Sequence, residues 1–275
     1  MKVVINQNIP FELCDGIDSA ELRPNNFYHN LLCVFGYPTK HPPVGALLSK
    51  ALGLKGRWLV ASPIHWQAGH NDVMVMAVND SLMLSDEQGL EWFSAFSEFV
   101  AQADMRTHYC DPYTWLIECE CEPVIRADPV HTLYHQSLMS KLSSIDASQT
   151  WQRFLTECQM YFSNHPLNRV QSTPSINGIW VWGDGQLNAP GCDQTVLYDA
   201  HELHSFVMQL CDEARQIESA LQSLSKTDIM VLSRCDIKQY RHLSKQLERY
   251  PVDWYWNNRT YTTRKKNWFS RLWSR

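Results

Sequence analysis

Hydrophobic residues along the chain alternate between two spacings, one typical of strands and the other typical of helices. Compact apolar runs over Arg57–Ala61, Asp72–Val78 and Tyr113–Cys121 predict strands, because each run is short and bounded by turn residues. Between the second and third runs, apolar residues recur every three or four positions from Ser85 to Ala103. This spacing predicts a half-buried helix, with Ser85 as its N-cap.

The same alternation continues through the rest of the chain. Helices are predicted over Gly45–Leu54, Trp151–Asn164, Ala200–Leu224 (one or two helices) and Asp236–Arg249, and strands over Gly178–Gly183, Thr195–Tyr198, Asp228–Leu232 and Val252–Trp256. Strands that alternate with helices indicate an α/β protein with a mixed sheet and helices packed on it. Because no Gly/Ser linker, charge block or low-complexity tract divides the 275 residues, we expect a single domain over residues 1–275.

Composition supports a packed globular chain, since 44% of the residues are hydrophobic and 19% are charged. No apolar run reaches the roughly 18 residues of a membrane span, and the N-terminal apolar run stops after three residues, unlike a signal peptide. The nine cysteines include no Cys-x-x-Cys pair, which favours reduced, mostly buried thiols. We therefore expect a cytoplasmic protein that has no membrane span and needs no cofactor.

Polar side chains, tryptophans and glycines concentrate between residues 157 and 185. Together with an upstream histidine they form a candidate ligand site: His65, Glu157, Gln159, His165, Asn168, Asn177, Trp180, Trp182, Gly183 and Gly185. In a functional interpretation, these residues converge at the carboxyl end of a strand, where the Gly183-Asp184-Gly185 turn lets backbone amides approach an anion. In a structural interpretation, Glu157 and Gln159 satisfy loop backbone, Asn177 caps a turn, and the tryptophans belong to the core.

The spacing within this segment resembles the bacterial regulatory protein RpfE family, whose members are often described as similar to cofactor-independent phosphoglycerate mutase. The matching elements are Glu157-x-Gln159-Met160, His165-Pro166-x-Asn168 and Asn177-x-x-Trp180-x-Trp182-Gly183-x-Gly185. Upstream, residues 58–65 resemble the family's Trp-Leu-x-Ala-Asp-Pro-Val-His, with Ser62 in place of the acid, and Thr156 replaces the family's first Asn. The resemblance implies a bacterial regulatory protein.

The mutase-like description implies two divalent metal ions and a Ser or Thr nucleophile. The expected Asp-His-Gly signature is missing from this sequence, and the hydroxyl of Ser62 is a poor substitute for a carboxylate ligand. Four histidines offer a second metal hypothesis, although no His-Glu-x-x-His arrangement is present: His65, His70, His131 and His135. We therefore expect a regulatory or interaction protein with no metal site and with catalytic residues unknown. A phosphoglycerate mutase-like enzyme with a degenerate site, which would need a divalent metal, is the alternative.

The C-terminal segment has a charge that contrasts with the rest of the chain. Residues 254–275 hold six Lys or Arg residues and no acid, whereas the whole chain has a net charge of −5. In one interpretation, a basic, aromatic tail over residues 264–275 contacts nucleic acid or an anionic surface through Arg264, Lys265, Lys266 and Arg271, but the six charges make only a small patch. The alternative is a tail packed across an acidic body, with Trp254 and Trp256 in the sheet. A protein partner or a small ligand is the further expectation.

Overall fold

The computed structural model describes residues 1–13, 26–70, 72–120, 122–170, 174–188, 194–217 and 228–263. Its strands are β1 (Lys2–Ile5), β2 (Trp58–Ala68), β3 (Val73–Val78), β4 (Thr107–Asp111), β5 (Thr114–Glu118), β6 (Gly178–Trp182), β7 (Val196–Tyr198), β8 (Ala214–Gln216), β9 (Ile229–Leu232), β10 (Val252–Trp256) and β11 (Arg259–Thr263). Its α-helices are α1 (Phe27–Val34), α2 (Val44–Ala51), α3 (Asp86–Ala101), α4 (Met139–Leu142), α5 (Thr150–Ser163), α6 (Leu167–Val170), α7 (His201–Val207) and α8 (Ile237–Gln246).

Helices packed with mixed and antiparallel sheets confirm the predicted α/β class. The contacts group into two compact units, one of Met1–Tyr37 with Asn188–Arg275 and the other of Pro38–Leu187. The chain passes from one unit to the other at residues 37–38 and 187–188, and no Gly/Ser linker lies at either point. The composition therefore did not predict this division. Whether the two units unfold together as one domain stays a prediction. No helix in the described ranges combines the length and the apolar composition that crossing a bilayer requires.

The unit formed by the two ends of the chain contains a six-stranded sheet in the order β11-β10-β1-β9-β7-β8. All of its pairings are parallel except that of β10 with β11. Val3, Val4 and Ile5 of the inner strand β1 are fully buried, as expected when both faces of a parallel sheet are covered. Trp254 and Trp256 belong to the core of this unit, and both are fully buried.

The unit of residues 38–187 is built around the long strand β2. This strand pairs with β6 along one edge and with β5 and then β3 along the other, and every pairing is antiparallel. Helix α3 begins at the predicted N-cap Ser85. Ser85 and Gln88 hydrogen-bond each other's backbone amides and so form a capping box. Helix α3 packs on α5 through Trp92 and Phe162, whose ring centroids lie 5.5 Å apart.

Residues 200–224 depart from the helical prediction. Helix α7 ends at Val207, and the chain then forms strand β8, which pairs with β7 in parallel. Arg215 and Gln216 in β8 are exposed, so this edge strand depends on backbone pairing and lacks the apolar alternation that predicts a strand. Residues 218–224 lie outside the described ranges.

Candidate functional site

Asn168 joins the end of α5 to the segment that leads into β6. Its amide nitrogen donates hydrogen bonds to the carbonyls of Phe162 and Ile176, each at 2.8 Å, and its Oδ1 accepts one from the Ile176 amide at 2.9 Å. Three hydrogen bonds to backbone use both ends of the amide group. The side chain therefore closes a loop and leaves little capacity for a ligand.

Asn177 performs a similar role at an irregularity in strand β2. The register between β2 and β3 shifts between His65 and Trp66. The Asn177 Oδ1 accepts a hydrogen bond from the Trp66 amide at 2.9 Å, and its Nδ2 donates one to the Trp66 carbonyl at 2.7 Å. The side chain thus extends the β2–β6 hydrogen-bond ladder past Gly178, the first residue of β6.

His65 extends the same network. Its Nδ1 lies 2.8 Å from the carbonyl oxygen of Ser175, a geometry in which a protonated Nδ1 donates to that oxygen. The structure therefore brings three predicted residues, His65, Asn168 and Asn177, to the segment 175–177 that precedes β6. All three bind the backbone, a role that the structural interpretation gave to Asn177 but not to His65 or Asn168.

The remaining motif residues on helix α5 and its following turn stand apart from this network. Glu157 is exposed, and Gln159 is half-buried on the same helix. His165 lies between Trp92 and Tyr161, with ring centroids 5.3 Å from each. Burial lowers the pKa of His165, while nearby Glu98 opposes that shift. The structure therefore does not assemble the full predicted set into one site.

The two tryptophans of β6 are core residues. Both are 1% exposed. The Trp180 indole donates to the carbonyl of Asp128 at 2.8 Å, and the Trp182 indole donates to the Ser62 hydroxyl at 3.1 Å. Ser62 is also 1% exposed, which places its hydroxyl inside the unit and not at a surface where a substrate could reach it.

The glycine turn that follows β6 packs tightly against the start of α2. Gly183 has φ +81°, and its carbonyl accepts a hydrogen bond from the Gly45 amide at 2.9 Å. Gly185 has φ +142°, and a side chain there would lie 3.0 Å from Pro43. Both glycines therefore permit backbone conformations that other residues rarely adopt, at points of close approach.

The carboxylate of Asp184, the middle residue of this turn, is itself an anion that nearby backbone amides bind. Its carboxylate accepts hydrogen bonds from the amides of Ile125 at 3.0 Å and Gly185 at 2.8 Å. Arg57 binds the same carboxylate through two nitrogens, Nε at 3.1 Å and Nη2 at 2.5 Å. These hydrogen bonds hold the pKa of the Arg57 guanidinium above its ordinary value. The Asp184 side chain is only 8% exposed.

Arg57 also binds three carbonyls, which makes it a central connection in this unit. It donates to the carbonyls of Cys119 at 3.1 Å, Glu122 at 2.7 Å and Pro123 at 3.3 Å. Counting the two bonds to Asp184, all five guanidinium N–H groups have acceptors. Our sequence analysis missed this pair; an acid between two glycines after a buried strand was the available signal.

A cavity of about 850 Å³ lies beside the Arg57–Asp184 pair, within residues 38–187. Its walls are formed by one face of α2, by Trp58, and by residues 124–126 and 184–187, with His41 at one side. Gly185 belongs to this wall, so the cavity touches one end of the predicted site, while His65, Asn168 and Asn177 do not line it. Sequence reasoning did not identify the α2 face or residues 124–126.

The residues present do not fit the divalent metal of the mutase-like alternative or that of the four-histidine hypothesis. Across the described ranges, no three His, Cys, Asp or Glu side chains group closely enough to hold a metal ion. His65 Nδ1 is taken by the Ser175 carbonyl, and His131 is buried with its ring 6.1 Å from that of Trp182. We derive no chemistry through a metal here.

The buried cysteines are poor candidates for nucleophiles. Cys119 and Cys158 are buried, and burial raises the pKa of Cys119 to about 12. A thiol with such a pKa stays protonated at neutral pH, whereas the thiolate is the nucleophilic form.

No family model, curated protein or solved structure matches this chain. The resemblance to the regulatory protein RpfE family therefore stays a prediction. The predicted tail residues Arg264, Lys265, Lys266 and Arg271 lie outside the described ranges.

Replacing Asn177 by aspartate should destabilise the protein without affecting ligand binding in the cavity. The aspartate keeps the shape of the side chain but cannot donate to the Trp66 carbonyl. This hydrogen bond is half-buried, and the loss of such a bond costs about 0.5–1.5 kcal/mol. Urea denaturation measures the loss. Asn164→Asp, just after α5, is the matched control. It loses a similar hydrogen bond, to the Met160 carbonyl at 3.1 Å, but at an exposed position where water replaces it, so stability should change less. Equal stability of Asn177→Asp and wild type would contradict the structural interpretation.

Proposed function

We propose that the protein is a cytoplasmic regulatory or interaction protein of the RpfE type, which acts by binding a small ligand in the cavity beside Arg57 and Asp184. The observation that carries this proposal is the cavity itself. Its volume of about 850 Å³ falls within the roughly 300–1,000 Å³ of small-molecule sites.

The hydrogen bonding of the motif residues supports a binding function over a catalytic one. Both ends of the Asn168 and Asn177 amide groups form hydrogen bonds with the backbone. The Asp184 carboxylate accepts hydrogen bonds from Arg57 and two backbone amides. General acid–base or nucleophilic catalysis requires a group that can reach the substrate. Of these side chains only Asp184 belongs to the cavity wall, where its bonds fix Arg57. Asn168 and Asn177 fix the segment before β6, which does not line the cavity.

A thermal-shift screen tests this proposal. A panel of small metabolites, including phosphoglycerates with and without Mn²⁺, is expected to contain compounds that stabilise the wild-type protein. A ligand at a hundredfold excess over its Kd should add about 2.7 kcal/mol to the free energy of unfolding. Gln186→Trp, which places an indole at an exposed position of the cavity wall, should abolish that gain.

The matched control is Gln102→Trp, the same substitution at an exposed position just after α3 that does not line the cavity. It should retain the stabilisation seen in the wild type. The proposal fails if no compound stabilises the protein, or if Gln186→Trp responds like the control. Turnover of a phosphate ester that is lost in Glu157→Ala would support the mutase-like alternative instead.

A further inference from the structure

We infer that the ligand of this cavity is an amphipathic anion, an apolar body that carries one carboxylate or phosphate group. The inference rests on the proposed function and specifies the chemistry of the same cavity. It is drawn from the charges and the apolar surfaces of the cavity wall.

The cavity wall has an excess of positive charge. Three basic side chains line it, Lys50, Arg57 and Arg126, against one carboxylate, Asp184. Since Asp184 neutralises Arg57, the excess consists of Lys50 and Arg126. Both are exposed, and no carboxylate within the described ranges forms an ion pair with either. Two unneutralised cations at one concave surface attract an anion.

A nearby acid limits the size of this effect. Glu120 is exposed, and its Oε1 would lie 2.7 Å from a side chain at Gly56, which lines the cavity. Its charge partly offsets that of the two cations. We therefore expect the preference for an anion to depend on both Lys50 and Arg126, and to strengthen when Glu120 is replaced by glutamine.

The rest of the wall is largely apolar. Trp58 lines the cavity although it is only 5% exposed, and its Nε1 donates to the Lys55 carbonyl at 2.8 Å. Leu54, Val124 and Leu187 add aliphatic surface, and Val124 remains 66% exposed. Burying such surface favours a ligand with an apolar body. Cations beside apolar walls thus match an amphipathic anion better than a sugar or a free phosphate ion.

Four probes that share one ring system test the inference by titration calorimetry. They are 2-naphthoate, 2-naphthyl phosphate, 2-naphthalenemethanol and 2-naphthylmethylamine, measured at 50 mM salt. At least one of the two anions is expected to bind about tenfold or more tightly than the alcohol, and the amine should bind most weakly. Raising the salt to 500 mM should weaken the anions and leave the alcohol unchanged, because salt screens exposed charges.

Variants that remove one charge test whether Lys50 and Arg126 cause the preference for anions. Lys50→Gln and Arg126→Gln should each weaken anion binding by about two- to fivefold, the range expected for exposed ion pairs, and leave the alcohol unchanged. Arg153→Gln removes an exposed cation of α5 that does not line the cavity, and it should change nothing. Comparison of the carboxylate with the phosphate shows which anionic group the two cations prefer.

The outcomes separate this inference from the proposed function. If the alcohol binds as tightly as both anions, or if panel compounds that bind the cavity are neutral or cationic, the anionic class is wrong while a cavity-binding function stands. If no naphthyl probe binds below about 1 mM, the amphipathic class is refuted. If the metabolite panel also yields no cavity-dependent ligand, the proposed function is refuted as well.

Discussion

Replacing Asp184 by asparagine is expected to destabilise the unit of residues 38–187 by about 2–4 kcal/mol. Breaking a buried ion pair costs about 3–5 kcal/mol because it strands the remaining charge, and the 27% exposure of the Arg57 side chain reduces that figure. The neutral amide also cannot accept all the hydrogen bonds that the carboxylate takes from Arg57, Ile125 and Gly185. Urea denaturation followed by tryptophan fluorescence measures the change.

Two variants sharpen this experiment. Arg57→Lys retains the charge but loses the bidentate geometry, so its loss of stability should lie between wild type and Asp184→Asn. Arg106→Gln breaks the ion pair with Glu118, in which Arg106 is exposed, and should change stability least. An Asp184→Asn protein as stable as the wild type would contradict the role of this pair and would make Asp184 a candidate for ligand binding.

The sequence predicted those parts of the fold whose signals are local. Helix α5 was expected at Trp151–Asn164 and runs from Thr150 to Ser163, because its apolar spacing and the proline at 166 mark it. The Ser85 N-cap and strand β6 were predicted for similar reasons. Strand β8 was not predicted. It pairs with β7 through backbone hydrogen bonds, and its side chains lack the apolar alternation that predicts a strand.

The candidate site shows the same division between local and distant information. The motif contains asparagines that bind backbone in the structure, but an asparagine that binds a ligand and one that binds a loop carbonyl cannot be distinguished in a sequence. Asn177 is 111 residues from Trp66, and Asp184 is 127 residues from Arg57. Only the folded chain establishes such partners, and they decide between the structural and the functional interpretation.

Ending the chain after Tyr250 is expected to unfold the unit formed by its two ends. This truncation removes β10, which pairs directly with β1, and also β11. It deletes Trp254 and Trp256, both fully buried, and the loss of one buried tryptophan costs about 3–5 kcal/mol. Two such losses rival the 5–15 kcal/mol that stabilise a typical protein. The truncated chain should be insoluble or lack a cooperative thermal transition.

Ending the chain after Thr263 is the matched truncation, and it isolates residues 264–275. It keeps β10 and β11 whole, including the hydrogen bond from the Trp254 indole to the Thr263 hydroxyl at 3.1 Å. We expect this chain to melt close to the full-length temperature. If Arg264, Lys265, Lys266 and Arg271 contact a polyanion, full-length protein should bind duplex DNA with a log–log salt slope near −0.9 per phosphate contact, and the truncated chain should lose that binding. A large fall in melting temperature would instead mean that these residues pack on the fold, and would refute a free basic arm.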